Sequence, residues 1–296
     1  MRPWESFPLM VSLGAVLGAI VGPVPYAGEV STAALVVAMT VSLTEVRFRG
    51  LTLRGEAGAF GRAFLWNYVV LSGVILALSA LYAEPDVRRG WIVMAAGPSA
   101  IAIVPLTATF RGDTRKALVS TALLYLAALG LYPLFTLAFA GRTVDLGGLA
   151  AQMILQIALP MAASRALARS RVLAGNRPPV VNASFFVLVF ALVGLNRNVF
   201  LQAPALIGAL AAGAFVRTWV VGAAAYVVSG RLAGGRAQRL SDALFASLKN
   251  LALAALFALS LFGPVAALPA IVCLFFEIAW LVPLQRLFRR ERSESR

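Results

Sequence analysis

Residues 247–268 read SLKNLALAALFALSLFGPVAAL, an apolar run with a lysine and an asparagine near its start and a glycine and a proline further along. An apolar segment in lipid must satisfy its own backbone hydrogen bonds, so this run predicts α-helix. Lys249 and Asn250 are then expected within a membrane span, where an ionisable side chain is costly and usually faces the protein interior or a water-filled cavity. The stretch therefore predicts a membrane protein with a polar centre.

The composition of the whole chain supports a polytopic membrane protein. Of its 296 residues, 60% are hydrophobic and 13% are charged, whereas soluble domains have about a quarter charged residues. Mean hydropathy is +0.86, which excludes an ordinary water-soluble enzyme and a disordered chain. We predict an all-α protein with ten transmembrane helices, at about residues 7–20, 30–43, 61–82, 91–110, 117–140, 147–167, 180–195, 203–228, 240–262 and 266–284.

The net charge of +14 is distributed in a way that predicts orientation. With a cytoplasmic N-terminus, 20 of the 26 basic residues fall at cytoplasmic ends of the segments, and four fall outside, at Arg88, Arg89, Arg142 and Arg197. Such a bias predicts a multi-pass protein of the inner (plasma) membrane with both termini cytoplasmic. The lipid bilayer explains the basic residues, so no nucleic-acid partner is expected.

Two parts of the chain share a pattern at an offset of 150 residues. Tyr132-Pro133-Leu134 corresponds to Val282-Pro283-Leu284, and each follows a segment with polar or helix-breaking residues, Gly97-Pro98-Ser99 and residues 247–250. Five spans separate the copies, and an odd number inverts the second copy in the membrane. The pattern predicts two inverted five-helix repeats, residues 1–140 and 145–296, with broken helices and a site near the midplane.

Several stretches resemble the bile acid:sodium symporter family, and together they cover most of the chain. They are MTVSLTE at 39–45, residues 97–113 from Gly97-Pro98-Ser99 to Arg111-Gly112-Asp113, residues 118–134, LKNLALA at 248–254 and LFGPVAALPA at 261–270. The resemblance implies a panel domain of helices one, two, six and seven, and a core domain of the other six. It also implies that helices four and nine are discontinuous and cross, and that the protein carries organic anions with sodium by alternating access.

The chain departs from that family where sodium ligands are expected. The family's Ser-Asn pair in the first crossing helix corresponds to Ile103 and Val104, and its Glu and Gln in the second correspond to Phe245 and Lys249. Hard cations need several oxygen ligands, and an ammonium repels them. The polar positions that the resemblance leaves are Asn67, Ser120, Thr121 and Asn250. Sodium is therefore doubtful, and no other cofactor or metal is expected.

Three ionisable residues fall within predicted spans. Lys249 is interpreted as a fixed cation where a sodium ion would sit, with snorkelling to a helix end as the alternative. Glu277 has three alternative interpretations: a partner for Lys249, a protonatable coupling group, or a carboxylate with a purely structural role. Arg217 either binds an anionic substrate in two-point fashion or pairs with Glu277.

The sequence thus predicts a secondary transporter of a small organic anion. Arg217, Asn67, Ser99 and Asn250 are the expected substrate-binding residues; Lys249, Glu277, Ser120 and Thr121 are the expected coupling residues. Without histidine, the usual catalytic triad is impossible, and an enzyme is not expected. Alternatives are a proton-coupled exporter of the arsenite-permease branch and a non-transporting membrane sensor. Substrate, transport direction and oligomeric state stay open.

Overall fold

The computed structural model describes residue 4 and residues 6–44, 53–140, 146–232 and 234–294. Over these residues the regular secondary structure is helical. The α-helices are α1 (Phe7–Val21), α2 (Ala27–Leu43), α3 (Leu53–Phe64), α4 (Ser72–Ser79), α5 (Pro85–Ala96), α6 (Ile103–Thr109), α7 (Thr114–Ala140), α8 (Leu146–Met153), α9 (Leu159–Leu167), α10 (Arg171–Leu195), α11 (Arg197–Gln202), α12 (Pro204–Phe215), α13 (Val221–Arg231), α14 (Arg236–Phe245), α15 (Leu251–Phe262) and α16 (Pro264–Glu294). Three π-helical segments, Leu65–Leu71, Ile154–Ala158 and Val216–Val220, continue α3, α8 and α12.

The helices have the length and composition of a polytopic membrane protein. Among the described residues, six are long and apolar enough to span a bilayer: Glu56–Ser79, Thr114–Phe139, Gly147–Leu167, Gly175–Leu195, Pro204–Arg231 and Pro264–Phe288. Three shorter apolar helices accompany them: Phe7–Val21, Ala27–Leu43 and Leu251–Phe262. The all-α membrane class is confirmed at this level.

The predicted segments 91–110 and 240–262 are each interrupted. The first interruption, residues 97–102, has a local cause. Gly97 ends α5 in an extended conformation (φ −62°, ψ 149°), as expected for a residue that precedes proline. Pro98 then cannot supply the N–H that would continue the helix.

The second interruption, residues 246–250, contains no proline. Here Asn250 caps the following helix, since its side chain accepts a hydrogen bond from Leu253 N at 3.1 Å. The two interruptions pair with each other through an antiparallel bridge between Ser99 and Lys249. Leu248 O accepts from Ala100 N at 3.3 Å, and Pro98 O accepts from Asn250 N at 2.9 Å.

The elements recur along the chain at an offset close to 150 residues. The π-helical segments Leu65–Leu71 and Val216–Val220 contain Asn67 and Arg217, which are 150 residues apart. The pairs α5 and α14, α6 and α15, and α7 and α16 follow in the same order. Residues 141–145, where the division into two halves is expected, lie outside the described residues, as does Arg142.

The helices pack in two groups. In the first, α1 and α2 pack against α10, α9 packs against α2, and small residues bring α1 and α10 into backbone contact. A Cβ on Gly18 would lie 2.3 Å from Phe190 O. In the second group, α5 packs against α7, α15 and α16. A Cβ on Gly90 of α5 would lie 2.0 Å from Ala266 O of α16. The bridged interruptions lie in this second group.

Candidate functional site

Lys249 lies at the centre of the bridged interruptions with its ammonium surrounded by oxygen. Its Nζ donates to Ser72 Oγ at 2.9 Å, Ala95 O at 3.0 Å and Gly97 O at 2.7 Å. We call these three atoms the oxygen cage. An ammonium has three donors, and the cage accepts from all of them. The Tyr68 ring centroid lies 4.5 Å from Nζ and adds a cation–π contact.

The position of the cage explains how a cation is tolerated there. Ala95 and Gly97 end α5, so their carbonyls carry the partial negative charge of a helix C-terminus. Lys249 is 1% exposed, and its side chain therefore does not snorkel towards a helix end. Asp242, which lies in the preceding helix α14, forms an ion pair with Arg62 and not with Lys249.

Glu277 contacts Lys249 through the backbone and not through the ammonium. Its Oε1 accepts from Lys249 N at 2.9 Å and from the Arg217 guanidinium at 2.5 Å. The expectation that Glu277 balances the charge of the lysine side chain is therefore corrected: its ionic partner is Arg217. The carboxylate fixes the backbone of the second interruption and so positions Lys249 indirectly.

Arg217 is bound to Glu277 in the core of the protein. It is 0% exposed, and it also donates to Ser247 O at 2.5 Å. It does not line the cavity described below. This geometry fits the ion-pair alternative, because the guanidinium is bound to a carboxylate and a carbonyl and lies away from the cavity wall.

Asn67 and Asn250 hold the second interruption from two sides. Asn67 Nδ2 donates to Phe245 O at 3.0 Å and to Leu248 O at 3.3 Å. Phe245 O lies at the end of α14, where intrahelical donors run out, and Leu248 O lies in the interruption itself. Asn250 Nδ2 donates to Tyr125 OH at 2.6 Å. Asn67 is 0% exposed and is absent from the cavity wall, whereas Asn250 contributes to it.

The remaining expected site residues are buried, and their side chains do not converge on the cavity. Ser99, Ser120 and Thr121 are 0%, 1% and 2% exposed. Ser99 Oγ and Thr121 Oγ1 have no hydrogen-bond partner among the described residues. Ser99 contacts Lys249 through its backbone. None of these three side chains lines the cavity.

A cavity of about 300 Å³ lies between the two helix groups. One wall comes from α1, α2 and α10, and the other comes from α6, α15, α16 and the two interruptions. Its lining is mainly apolar, with polar contributions from Ser42, Arg177, Asn182, Lys249, Asn250 and Glu277. A pocket of this kind, apolar with a few converging polar groups, is the usual form of a small-molecule site.

The residues present do not fit a sodium ion at the cage. Ile103 and Val104 are buried and have no side-chain oxygen, Phe245 is 1% exposed, and the Lys249 ammonium occupies the centre of the available oxygens. Among the described residues, no cluster of three or more His, Cys, Asp or Glu side chains could hold another metal. Cys273 is a buried free thiol.

Sequence reasoning missed Ser72, Tyr68 and Arg177. Tyr68 follows Asn67 in the π-helical segment and Ser72 begins α4 directly after it, and such segments are frequent at functional sites. A serine and a tyrosine in an apolar run give no signal without the fold. Arg177 was read only as part of the cytoplasmic charge bias, whereas the structure places it on the cavity wall.

Comparison with known proteins adds no assignment. No protein-family model matches the chain, and no curated protein is significantly similar to it.

Proposed function

We propose that this protein is a sodium-independent secondary transporter of a small organic anion, of the bile acid:sodium symporter type. The observation that carries the proposal is the Lys249 ammonium in its oxygen cage, at the point where two interrupted helices meet next to a cavity. Interrupted helices that present backbone groups to a central site are characteristic of secondary transporters.

The proposal includes a finer architecture than six spanning helices. Each of α5–α6 and α14–α15 is taken as one discontinuous span, which together with α1 and α2 brings the total to ten. The recurrence at 150 residues supports two inverted five-helix repeats, 1–140 and 145–296. The group around α10 then corresponds to the panel domain, and the group around α5 and α16 corresponds to the core domain.

Lys249 takes the place of a coupling cation in this proposal. A sodium ion at a broken helix is bound by carbonyl oxygens at a half-helix C-terminus. Ala95 O and Gly97 O are such oxygens, and the ammonium binds them at 3.0 and 2.7 Å. A tethered ammonium neutralises this end of α5 while the cage is closed, so the interruption needs no ion from solution.

The cavity supports an organic solute as the cargo. It lies between the two helix groups, where rocking of one group against the other would expose it alternately to each side of the membrane. Protons are the natural driving ion once sodium is dispensable, because Lys249 could lose its proton when the cage opens. Glu277 lines the cavity and is bound to Lys249 N. A change at Glu277 on the cavity side would therefore be transmitted to the backbone of Lys249.

Transport by purified protein in proteoliposomes tests the proposal. Uptake of radiolabelled cyclohexanecarboxylate, hexanoate and a steroid carboxylate is measured with sodium replaced by choline, with and without an imposed proton gradient. We expect uptake of at least one anion that is independent of sodium, stimulated by protons and abolished in Lys249→Gln.

The matched control is Lys116→Gln, which changes the only other lysine of the chain. Lys116 is exposed and pairs with Asp113, so this variant should transport normally. A strict sodium requirement in the wild type would overturn the proposal. So would sodium-independent uptake that is the same in Lys249→Gln and wild type.

A further inference from the structure

One carboxylate oxygen on the cavity wall has no hydrogen-bond donor from the protein. Glu277 is 7% exposed and lines the cavity. Its Oε1 accepts from Lys249 N at 2.9 Å and from the Arg217 guanidinium at 2.5 Å. In the part of the chain that the structure describes, no donor reaches its Oε2, which is accessible from the cavity. Polar atoms in protein interiors are nearly always paired, so this oxygen calls for a partner from outside the protein.

The neighbouring side chains of the cavity wall do not supply that partner. The Asn250 amide donates to Tyr125 OH at 2.6 Å, and the Asn182 amide donates to Trp4 O at 2.9 Å. The residues of α16 that line the cavity around Glu277 are apolar: Leu274, Ile278 and Leu281. A donor for Oε2 must therefore enter the cavity with a ligand or with water.

We propose that Glu277 Oε2 is a ligand-binding group, and that the ligand is a small organic anion with a hydroxyl group at the end remote from its charge. The anionic character rests on the proposed transport function, whereas the need for a donor follows from the cavity itself. An ionised carboxylate only accepts hydrogen bonds, so it recognises the O–H of such a ligand.

The charges around Glu277 favour a neutral donor over an ammonium. Three ionised groups meet at the second interruption: the carboxylate of Glu277 and the cations of Arg217 and Lys249. Two positive charges against one negative charge leave this wall net positive, which repels another cation and attracts an anion. At hydrogen-bond distance, however, the wall presents an acceptor. A hydroxylated anion satisfies both conditions.

The position of the hydroxyl within the ligand follows from the same carboxylate. A ligand carboxylate close to Glu277 would face a like charge in a mainly apolar enclosure, which is unfavourable. The hydroxyl should therefore lie at the opposite end of the ligand from its charge. The cavity, at about 300 Å³, is at the lower end of the usual range for ligand sites, so a six-carbon ring or chain between the two groups is a suitable size.

The hydroxyl should contribute strongly to affinity. Water that enters the cavity can donate to Oε2, and a ligand that displaces water without a donor of its own loses that contact. A hydrogen bond to a charged group is stronger than one between neutral groups. We therefore expect the hydroxylated anion to bind about tenfold to hundredfold more tightly than the same anion without the hydroxyl.

Ligand-induced thermal stabilisation of the purified full-length protein tests the inference, since a bound ligand raises the melting temperature by mass action. The probes are 4-hydroxycyclohexanecarboxylate, in both cis and trans forms, and four relatives: its 4-methoxy ether, the 2-hydroxy isomer, the 4-amino analogue and unsubstituted cyclohexanecarboxylate. One form of the 4-hydroxy acid should bind more tightly than all four relatives. The methoxy ether is the sharpest comparison, because it keeps the oxygen and lacks only the proton that Glu277 would accept.

Glu277→Gln tests whether this residue makes the distinction. An amide can donate to an ether as well as accept from a hydroxyl, so the preference for the hydroxyl over the methoxy group should disappear. The control is Glu29→Gln, which changes an exposed carboxylate of α2 in the same way and should keep the preference.

Ser42→Cys locates the ligand if Glu277→Gln does not fold. Ser42 lines the cavity, and the natural Cys273 is buried. The 4-hydroxy acid should slow labelling of the new thiol by N-ethylmaleimide, and the methoxy ether at the same concentration should not. Stabilisation by the hydroxy acid without this protection would place it elsewhere and contradict the inference.

The inference is overturned if neither form of the 4-hydroxy acid stabilises the wild type, if the methoxy ether binds equally well, or if a folded Glu277→Gln keeps the full preference. These results are distinct from failure of the proposed function. Hydroxyl-dependent binding without uptake in proteoliposomes would retain this inference and reject transport. Uptake of anions with no preference for a hydroxyl would do the reverse.

Discussion

Ser99 and Lys249 form an antiparallel backbone bridge at the point where the two helix interruptions meet. They are 150 residues apart, which is close to the offset at which the helical elements recur. The side chains at these positions differ: the serine hydroxyl has no partner among the described residues, whereas the lysine ammonium binds three oxygens. Lys249 therefore supplies a cation to the carbonyls that end α5.

Disruption of the Arg217–Glu277 pair should destabilise the protein severely. Removal of one partner of a buried pair leaves an uncompensated charge and costs about 3–5 kcal/mol. We expect Arg217→Gln and Glu277→Gln each to lower the melting temperature strongly. The double variant should lose less stability than the sum of the two, because the residues interact directly. Thermal unfolding in detergent measures this.

The same variants separate the two interpretations of Arg217. A folded Arg217→Gln with wild-type stability and weakened anion binding would show that the guanidinium binds substrate, contrary to its buried placement.

Close contact between α5 and α16 should not tolerate a side chain at Gly90. A Cβ there would lie 2.0 Å from Ala266 O, and overpacking of this kind typically costs about 1–3 kcal/mol. Gly90→Ala should therefore lower the melting temperature. The control is Gly130→Ala in α7, where a Cβ meets nothing within 4 Å; it should be neutral or slightly stabilising. Equal melting temperatures for the two variants would contradict this packing.

The two functions of the Asn250 side chain should separate by substitution. Its Oδ1 caps α15, and its Nδ2 donates to Tyr125 OH. Asn250→Ala loses both contacts, and loss of the cap alone costs about 0.5–2 kcal/mol. Asn250→Asp keeps the capping oxygen but adds a negative charge to the cavity wall. We expect it to be the more stable variant and the weaker binder of anions, as measured by thermal unfolding and ligand titration. Asn250→Asp that binds anions as tightly as wild type would contradict the placement of Asn250 in the binding cavity.

The charge bias predicts that both termini are cytoplasmic. In a Cys273→Ala background, Ser293→Cys should resist a membrane-impermeant thiol reagent in intact cells, whereas Ala83→Cys, exposed between α4 and α5, should react. Labelling after cell lysis controls for accessibility. Labelling of Ser293→Cys from outside would refute the orientation.

The sequence is informative about helices and much less so about their centre. Continuous apolar runs predict the membrane helices, and Gly97-Pro98 marks the first interruption through its own chemistry. The second interruption depends on residues far away in the chain: Asn67 and Arg217 bind its carbonyls, and Glu277 binds Lys249 N. Such contacts exist only in the folded protein, which is why a mid-span Arg217 could equally be read as a substrate ligand.

The sequence predicts that the charge of Lys249 is compensated, but not which groups compensate it. A lysine in an apolar run indicates a costly, compensated charge, but the compensating groups are a serine hydroxyl and two backbone carbonyls. Every residue has a backbone carbonyl, so the sequence does not show which carbonyls bind the lysine. It predicts that the ammonium has oxygen partners, but not which ones. Arg177 was obscured for the opposite reason, because a basic residue near a cytoplasmic helix end is already explained by topology.

The central claim is that the Lys249 ammonium occupies the place of a cation, and the most direct test is to empty that place. Lys249→Ala removes the ammonium but keeps Ser72 Oγ, Ala95 O and Gly97 O, whereas Lys249→Met also fills the vacated volume with an apolar chain. Melting temperature is measured against methylammonium and sodium concentration, with choline maintaining ionic strength. We predict that wild type and Lys249→Met do not respond, and that Lys249→Ala gains saturable stabilisation by methylammonium. A wild type stabilised by sodium, or a folded Lys249→Ala that responds to neither cation, would contradict the claim.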